Sequence, residues 1–247
     1  MKKFLSAFVF VILFYACKTS YQVKLESSHS ELVNTNADSA AQSLIYPYKN
    51  QMKDVMDEVI AFSEVAMTKN QPEGVLGNFV ADCLFEMGKN ALGKDSGRID
   101  AVLLNNGGLR ASLPQGEIKM SNVYELMPFD NELKIVELSG DQCEKMLAFI
   151  AGKGGVPVSN LRMKIVKGKA VDVFINGKAF DKNKSYTILS SDYLINGGDK
   201  MDFFINPIKA QELNLLIRDA IISYLRKMKK ENKKIQPKID GRISLSE

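Results

Sequence analysis

Residues 133–150, with the sequence LKIVELSGDQCEKMLAFI, contain a strand pattern followed directly by a helix pattern. Apolar and polar residues alternate from 133 to 138 with the period of two that is typical of a strand. Ser-Gly-Asp at 139–141 interrupts this alternation, and residues 142–150 repeat apolar residues at helical spacing. We therefore predict a strand and then a short helix, with Asp141 as the N-cap of the helix.

The same mixture of helices and strands continues on both sides of this stretch. Apolar spacing predicts helices at 52–60, 75–92, 123–126 and 213–230, and strands at 101–104, 185–189 and 239–245. Residues 171–175, followed by Asn176-Gly177 and a further extended stretch, predict a hairpin. Because hairpins appear instead of a strict strand–helix–strand alternation, we expect an α+β fold, with mixed sheets and hairpins packed against helices.

The composition describes one ordinary globular domain with short appendages. The chain has 247 residues, of which 45% are hydrophobic and 25% are charged, and its formal net charge is +4. This weak positive charge does not indicate a nucleic acid polymer as a partner. Three cysteines cannot form a disulfide framework. Cys83 and Cys143 lie among apolar residues, which favours buried thiols, while a bridge between them in an oxidising compartment stays open.

The N-terminus has the pattern of an export signal. Lys2 and Lys3 precede an apolar run at 4–16, which is too short to span a membrane comfortably and ends at Ala16-Cys17. This resembles a lipoprotein signal, in which Cys17 becomes the lipidated first residue; an uncleaved anchor or a plain secretory signal is the alternative. We expect a signal peptide at 1–16, a polar tether at 17–44 and a folded domain at 45–247, in an exported protein that its lipid anchors to a membrane.

Histidine is almost absent from the chain. His29 is the single one, and it lies in the polar leader. A hydrolytic site with two metals normally recruits several imidazoles and carboxylates. We therefore expect no catalytic residue, no metal ligand and no cofactor on this chain.

Four segments, in chain order, carry a family resemblance. They are EGVLGNFVAD at 73–82, LNNGGLR at 104–110, MPFDN at 127–131 and DYLINGGD at 192–199, and shorter matches lie at 116–118, 138–140 and 240–243. Together they resemble the C-terminal domain of the 5′-nucleotidase and UDP-sugar hydrolase family over roughly residues 45–245. The resemblance implies substrate-binding residues at Asn105, Arg110, Phe129, Asn131, Gly155, Tyr193 and Asp199.

The resemblance places a nucleotide base between two aromatic side chains. Phe129 is one of them, and Tyr193, which stands where many members have Phe, is the other. Base stacking on an aromatic ring contributes roughly 1–3 kcal/mol and tolerates any base. Asn105 and Asn131 match asparagines that contact the base or its surroundings, and an amide suits this because it offers both a donor and an acceptor.

The resemblance assigns three further residues to the rest of the nucleotide. Arg110 matches an arginine that reaches the phosphate or the ribose, and a planar guanidinium suits a phosphate group. Asp199 matches the aspartate that accepts hydrogen bonds from the ribose hydroxyls, and Gly155 matches a backbone contact. In many relatives a glycine follows the aspartate, whereas here Lys200 follows it.

The metal-binding motifs of the family do not occur in this sequence. In the family, an N-terminal metallophosphoesterase holds two metals through Asp-x-His and Gly-Asn-His motifs, and neither is present here. We therefore expect the nucleotide-binding half of a split extracytoplasmic 5′-nucleotidase, whose divalent metals lie on a separate metallophosphoesterase chain. A stand-alone surface protein that binds nucleotides or nucleosides without catalysis is the alternative, and a chain that hydrolyses them by itself is a third interpretation.

Overall fold

The computed structural model describes residues 38–93 and 99–246 of the chain. The chain divides into two units, Met1–Ile45 and Tyr46–Glu247, and residues 38–45 are the described part of the first unit. The predicted signal peptide, the predicted lipidation site Cys17 and His29 lie outside the described residues. Among the helices of the described part, none is long and apolar enough to cross a membrane.

The first helix, α1, covers Ser39–Met56 and begins inside the stretch predicted as a tether. The Asp38 carboxylate caps it by accepting a hydrogen bond from the Ala40 N–H at 2.8 Å. The prediction of a helix that continues to residue 60 is wrong. Val59–Ser63 forms strand β1, because this segment begins with β-branched residues and pairs with a strand further along the chain.

The unit Tyr46–Glu247 contains the remaining helices and strands in mixed order. The helices are α2 (Val75–Leu92), α3 (Met120–Leu126), α4 (Gly140–Gly152), α5 (Asp192–Ile195) and α6 (Ile217–Lys230), with short 3₁₀ helices at Gly198–Lys200 and Asp202–Phe204. The strands after β1 are β2 (Ala101–Leu103), β3 (Gly116–Lys119), β4 (Glu132–Leu138), β5 (Val158–Ser159), β6 (Leu161–Val166), β7 (Lys169–Ile175), β8 (Lys178–Ala179), β9 (Tyr186–Ser191), β10 (Lys209–Leu216) and β11 (Ile243–Ser246).

The strands of the described residues form three sheets. The central sheet has the order β10-β4-β9-β2-β5, a second sheet has the order β11-β6-β7-β8, and β1 pairs with β3. The β2–β9 and β6–β11 pairs are parallel, whereas the other pairs are antiparallel. These mixed sheets, with the predicted hairpin at β7–β8 and helices packed against them, confirm the α+β fold.

Side chains pack against both faces of the central sheet. Consecutive residues of a strand point to opposite faces, so neighbouring residues belong to different core clusters. In β2, Val102 packs into a cluster with α2, α3 and α6, whereas Leu103 packs into a second cluster with α4 and the second sheet. Leu189 and Ile188 of β9 divide between the two clusters in the same way. Burial of an aliphatic side chain of this kind contributes about 1.5–3 kcal/mol. The loops that leave these strands therefore start from rigid positions.

Two predicted helix starts are wrong. Ser139, not Asp141, caps α4, because the Gln142 N–H donates to the Ser139 hydroxyl at 3.3 Å and Gln142 Oε1 accepts from the Ser139 N–H at 3.1 Å. Helix α6 begins at Ile217 and not at residue 213. The residues before it pair with β4 as strand β10, so the sheet overrides their helical spacing.

Arg242 joins the last strand to α2 through a nearly buried guanidinium and two partly exposed carboxylates. Its guanidinium donates to both carboxylate oxygens of Asp82 at 2.8 and 2.9 Å, to Asp240 at 2.8 Å and to the Val158 carbonyl at 2.8 Å. Burial opposes the charge of Arg242, but the hydrogen bonds to Asp240 and Asp82 outweigh it and raise the pKa of Arg242 above its usual value. The same contact with Arg242 holds the pKa of Asp240 below its usual value. Arg242 and its two carboxylate partners thus connect structural elements, and they do not line the cleft described next.

Candidate functional site

One cleft in the unit Tyr46–Glu247 gathers most of the predicted site residues. Its volume is about 350 Å³, and six of the predicted residues line it with two glycines: Asn105, Gly107, Gly108, Arg110, Phe129, Asn131, Tyr193 and Asp199. The seventh predicted residue, Gly155, lies outside this cleft. The fold therefore brings together side chains from three segments that are far apart in sequence.

Asn105 follows β2 and lies on a tight turn at the cleft. The end of the turn is fixed because the Arg110 N–H donates to the Leu126 carbonyl at 2.8 Å. A Cβ at Gly108 would lie 2.7 Å from Asn105 Oδ1. A side chain at 108 would require this amide to shift, so the glycine lets Asn105 keep its position beside Asp199.

Phe129 and Asn131 lie on the loop between α3 and β4, and α6 holds this loop. The Arg218 guanidinium donates to the Phe129 carbonyl at 3.4 Å and forms an ion pair with Asp130. The Ile217 N–H donates to the Asn131 carbonyl at 2.9 Å. Arg218 is therefore a positioning residue of the cleft, and sequence reasoning missed it because no local motif connects it to Phe129.

Tyr193 lies in the short helix α5, beside the start of β4. The Asp192 carboxylate accepts hydrogen bonds from the Tyr193 N–H at 2.7 Å and from the Glu132 N–H at 3.2 Å, which ties α5 to β4. A Cβ at Gly198 would lie 2.6 Å from the Tyr193 ring, so a glycine lets the chain pass directly against the ring. Tyr193 and Phe129 remain 47% and 43% exposed, and both therefore offer apolar surface to a ligand.

Asp199 connects two of the cleft segments through its side chain. Its Oδ2 accepts a hydrogen bond from Asn105 Nδ2 at 2.6 Å, and its Oδ1 accepts one from the Tyr193 hydroxyl at 2.9 Å. Its backbone lies in the left-handed region, with φ 53° and ψ 24°, where Asp is among the more tolerant residues. The hydroxyl that distinguishes Tyr193 from a phenylalanine thus orients this carboxylate.

Arg110 is exposed at the cleft. Its Nη1 donates to the Gly107 carbonyl at 3.4 Å, which is a long hydrogen bond. Within the part of the chain that the structure describes, no carboxylate forms an ion pair with Arg110. Its planar set of donors is therefore open to an anion.

Gly155 lies where two backbone segments approach closely. Its φ is 106°, which favours glycine, and a Cβ here would lie 2.0 Å from the Pro72 carbonyl oxygen. The Gly155 carbonyl accepts a hydrogen bond from Gln71 Nε2 at 3.0 Å. The packing of these segments explains the glycine without a ligand.

The described residues do not provide a metal site. Across 38–93 and 99–246, no group of three or more His, Cys, Asp or Glu side chains is arranged to hold a metal ion. Asp199 is the one carboxylate among the described residues that line the cleft. This donor set does not fit the two-metal centre that the family resemblance implies elsewhere.

Cys83 and Cys143 are buried free thiols, as predicted, and lie in different core clusters. Burial raises the pKa of Cys83 well above its usual value, and it raises the pKa of Cys143 to about 12. Burial therefore favours the neutral form of both thiols in the folded protein.

The α+β fold and the motif segments that meet at the cleft agree with the family resemblance of the sequence. Residues 56–205, more than half of the 247-residue chain, match the family described as "5′-nucleotidase, C-terminal domain", and the chain belongs to this family. The resemblance seen in the sequence is confirmed.

The relatives are considerably longer than this chain. The trifunctional nucleotide phosphoesterase protein YfkN of Bacillus subtilis (strain 168) is 26% identical over 231 residues, which are 85% of this chain and 15% of that protein. A 5′-nucleotidase of Vibrio vulnificus is 24% identical over 73% of this chain and 32% of that protein. The solved structure of a 5′-nucleotidase precursor from Thermus thermophilus has a TM-score of 0.68 at 23% identity, and the match covers 83% of this chain and 43% of that one. The chain therefore spans less than half of the length of each of these three proteins.

Proposed function

We propose that this chain is the nucleotide-binding half of a split extracytoplasmic 5′-nucleotidase. The observation that carries the proposal is the meeting of six predicted side chains in one cleft of about 350 Å³. The cleft combines half-exposed aromatic rings, amides, a carboxylate and a guanidinium that pairs with no carboxylate of the described residues. A nucleotide requires these kinds of group, since its base stacks, its ribose donates hydrogen bonds and its phosphate is an anion.

In this proposal, the base stacks between Phe129 and Tyr193. Each stack contributes roughly 1–3 kcal/mol, and stacking does not discriminate strongly among bases because every base has a π face. Base preference then depends on the amides of Asn105 and Asn131, which line the same cleft.

Asp199 and Arg110 hold the ribose and the phosphate. The Asp199 carboxylate is oriented by two internal donors and still has acceptor capacity for ribose hydroxyls. Arg110 offers a planar donor set to the phosphate. The two groups lie in one cleft, which fixes the nucleotide in one direction.

A separate metallophosphoesterase chain hydrolyses the phosphate ester in this proposal. Two observations support it: the described residues lack a metal-ligand group, and the single histidine of the sequence is His29, outside the cleft segments. Divalent metals on the partner supply the activated water, while this chain holds the base and ribose and presents the phosphate. Export and a lipid anchor at Cys17 would keep both chains outside the cytoplasm.

Calorimetry with a panel of nucleoside 5′-monophosphates tests the binding half of the proposal. Phe129→Ala and Tyr193→Ala should each weaken binding by roughly 1–3 kcal/mol, or about 5- to 150-fold in Kd, because each removes one stacking face. Tyr193→Phe keeps the ring and should therefore weaken binding less than Tyr193→Ala.

Phe174→Ala is the matched control, because Phe174 is also 43% exposed and does not line the cleft. It should leave the affinity unchanged. Unchanged affinity in a folded variant that lacks both Phe129 and Tyr193 rings would contradict the base sandwich.

Phosphate release tests the split enzyme. The purified chain with added Mg, Mn, Zn, Ca or Co should release no phosphate, and release should appear once a metallophosphoesterase chain captured from the native membrane is added. Arg110→Ala should reduce that release without changing the metal content of the mixture. Robust release by the purified chain alone would overturn the proposal.

A further inference from the structure

A second cleft, of about 430 Å³, adjoins the first across the hydrogen bond between Asn105 and Asp199. The two clefts share Asn105, Gly107 and Asp199. The second cleft is also lined by Gln71 and Phe149, which belong to segments that the first cleft does not use. A nucleotide whose ribose lies at Asp199 therefore has direct access to both clefts.

Two lysines that pair with no carboxylate of the described residues line the second cleft. Lys153 follows α4, and its Nζ lies 5.4 Å from the centroid of the Phe149 ring. Lys200 directly follows Asp199 in the chain. Within 38–93 and 99–246, neither lysine forms an ion pair, in contrast to Lys182, which pairs with two carboxylates. Asp199 is the one acidic side chain among the described residues of this cleft, and internal donors already bind both of its oxygens.

The backbone at Lys200 is unusual for a lysine. Its φ is 65°, directly after the φ of 53° at Asp199, so two consecutive residues with side chains lie in the left-handed region. Such a conformation is sterically unfavourable for a long side chain, and glycine adopts it freely. Strained residues of this kind cluster at ligand sites, where the side chain that they place is used.

We infer that the second cleft is an anion subsite, in which Lys153 and Lys200 bind a second phosphate group of the nucleotide whose first phosphate contacts Arg110. The inference rests on the proposed function of the first cleft and extends its substrate class to nucleotides with two separate phosphate groups. The second phosphate is either joined to the first, as in a nucleoside 5′-diphosphate, or carried on the ribose, as in a nucleoside 3′,5′-bisphosphate. Both present the same anion to the two ammonium groups.

Calorimetry with three adenosine probes tests the inference: the 5′-monophosphate, the 5′-diphosphate and the 3′,5′-bisphosphate. At least one probe with a second phosphate should bind about five- to tenfold more tightly than the monophosphate, because two exposed cations each contribute a modest attraction. This gain should fall as the ionic strength rises. The probe that shows the larger gain identifies how the second phosphate is attached.

The variant that combines Lys153→Ala with Lys200→Gly should abolish the gain and leave the affinity for the monophosphate within about twofold. The glycine suits the left-handed backbone, so the variant keeps its fold. Lys145→Ala is the matched control, because Lys145 is an exposed lysine of α4 outside both clefts. This variant should still bind the probe with a second phosphate more tightly than the monophosphate.

Three results would overturn the inference, and two of them leave the proposed function in place. Equal affinity for all three probes, or a gain that survives in the double variant, removes the anion subsite and leaves the first cleft intact. Failure of the monophosphate itself to bind removes the proposed function, and the inference with it.

Discussion

Arg242→Leu is expected to destabilise the protein strongly. The guanidinium is 11% exposed and bonds to Asp82, Asp240 and the Val158 carbonyl, so its loss removes the cation beside two carboxylates and a donor to one buried carbonyl. Asp82 still accepts from the Ser159 hydroxyl, and Asp240 still accepts from the backbone N–H of residue 242. Breaking a buried ion pair from one side costs about 3–5 kcal/mol. The Asp82 and Asp240 side chains are 50% and 32% exposed and regain water, so the lower end of this range, about 3 kcal/mol, applies. A domain of this size then melts about 6–12 °C lower.

Thermal unfolding followed by far-ultraviolet circular dichroism measures this effect, since the chain contains no tryptophan. Arg162→Leu is the matched control, because Arg162 is an exposed arginine that donates to the Asp240 carbonyl at 3.2 Å. It should change the free energy of unfolding by about 0.5 kcal/mol or less. An equal shift in the two variants would refute the reasoning from burial.

The same comparison has a predicted pH dependence. The hydrogen bond from Arg242 holds the pKa of Asp240 below its usual value, so the ionised carboxylate is stabilised in the folded state. A group with a lowered folded pKa contributes stability above its unfolded pKa, about 3.9, and loses it as the pH falls through the folded pKa. The difference in stability between the wild type and Arg242→Leu should therefore be largest near neutral pH and narrow below about pH 4. A difference that grows in acid would contradict this assignment.

Three further predictions concern a glycine and the cysteines. Gly155→Ala should lower the free energy of unfolding by about 3 kcal/mol, because its Cβ would lie 2.0 Å from the Pro72 carbonyl oxygen. Gly154→Ala, which has open space around its Cβ, should lower it by about 1 kcal/mol. Equal effects of the two variants in denaturant titrations would contradict the steric argument. Cys83 and Cys143 should resist alkylation at about pH 8 in the folded protein and react once it is unfolded, since burial raises both pKa values; rapid labelling of the native state would oppose this. Cys17→Ser should move the protein out of the detergent phase in a partitioning assay, and equal partitioning would exclude lipidation.

The elements that the sequence predicts well are those whose pattern is local. The helix predicted at 75–92 and the helix α2 have the same bounds, because one apolar stripe runs along the whole segment. The prediction at 213–230 fails in its first part for the opposite reason. Leucines at 213, 215 and 216 fit a helix face as well as a strand, and pairing with β4 decides between the two.

The cap of α4 shows a signal that was present in the sequence. Ser139 and Asp141 are both favoured N-cap residues, and each has a residue that can complete a capping box three positions later, Gln142 for Ser139 and Glu144 for Asp141. The structure contains this capping box, with Gln142 bonding back to the Ser139 N–H. The sequence therefore contains the signal at Ser139 together with an equal one at Asp141, and the structure decides between them.

The residues of the candidate site could be predicted only through motifs, and the residues that reach the site from other elements could not be predicted. The family motifs name Phe129 and Asp199, but nothing near residue 218 indicates that Arg218 holds the Phe129 loop. The same applies to Lys153, which reaches the second cleft from the end of α4. Such contacts depend on how helices pack across the sheet, and that packing has no local sequence pattern.

Asp199 connects the fold to the proposed chemistry through the number of its acceptor positions. An ionised carboxylate offers about four lone-pair positions, and Asn105 and Tyr193 each use one, on different oxygens. One position therefore remains on each oxygen. The two donors, Asn105 after β2 and Tyr193 in α5, fix the direction in which the two oxygens face. The neighbouring hydroxyls of a ribose provide two donors to such a pair. In the proposed ribose contact, the internal hydrogen bonds to the Asp199 side chain also set its carboxylate for the diol, and the left-handed backbone at Asp199 places this carboxylate at the cleft.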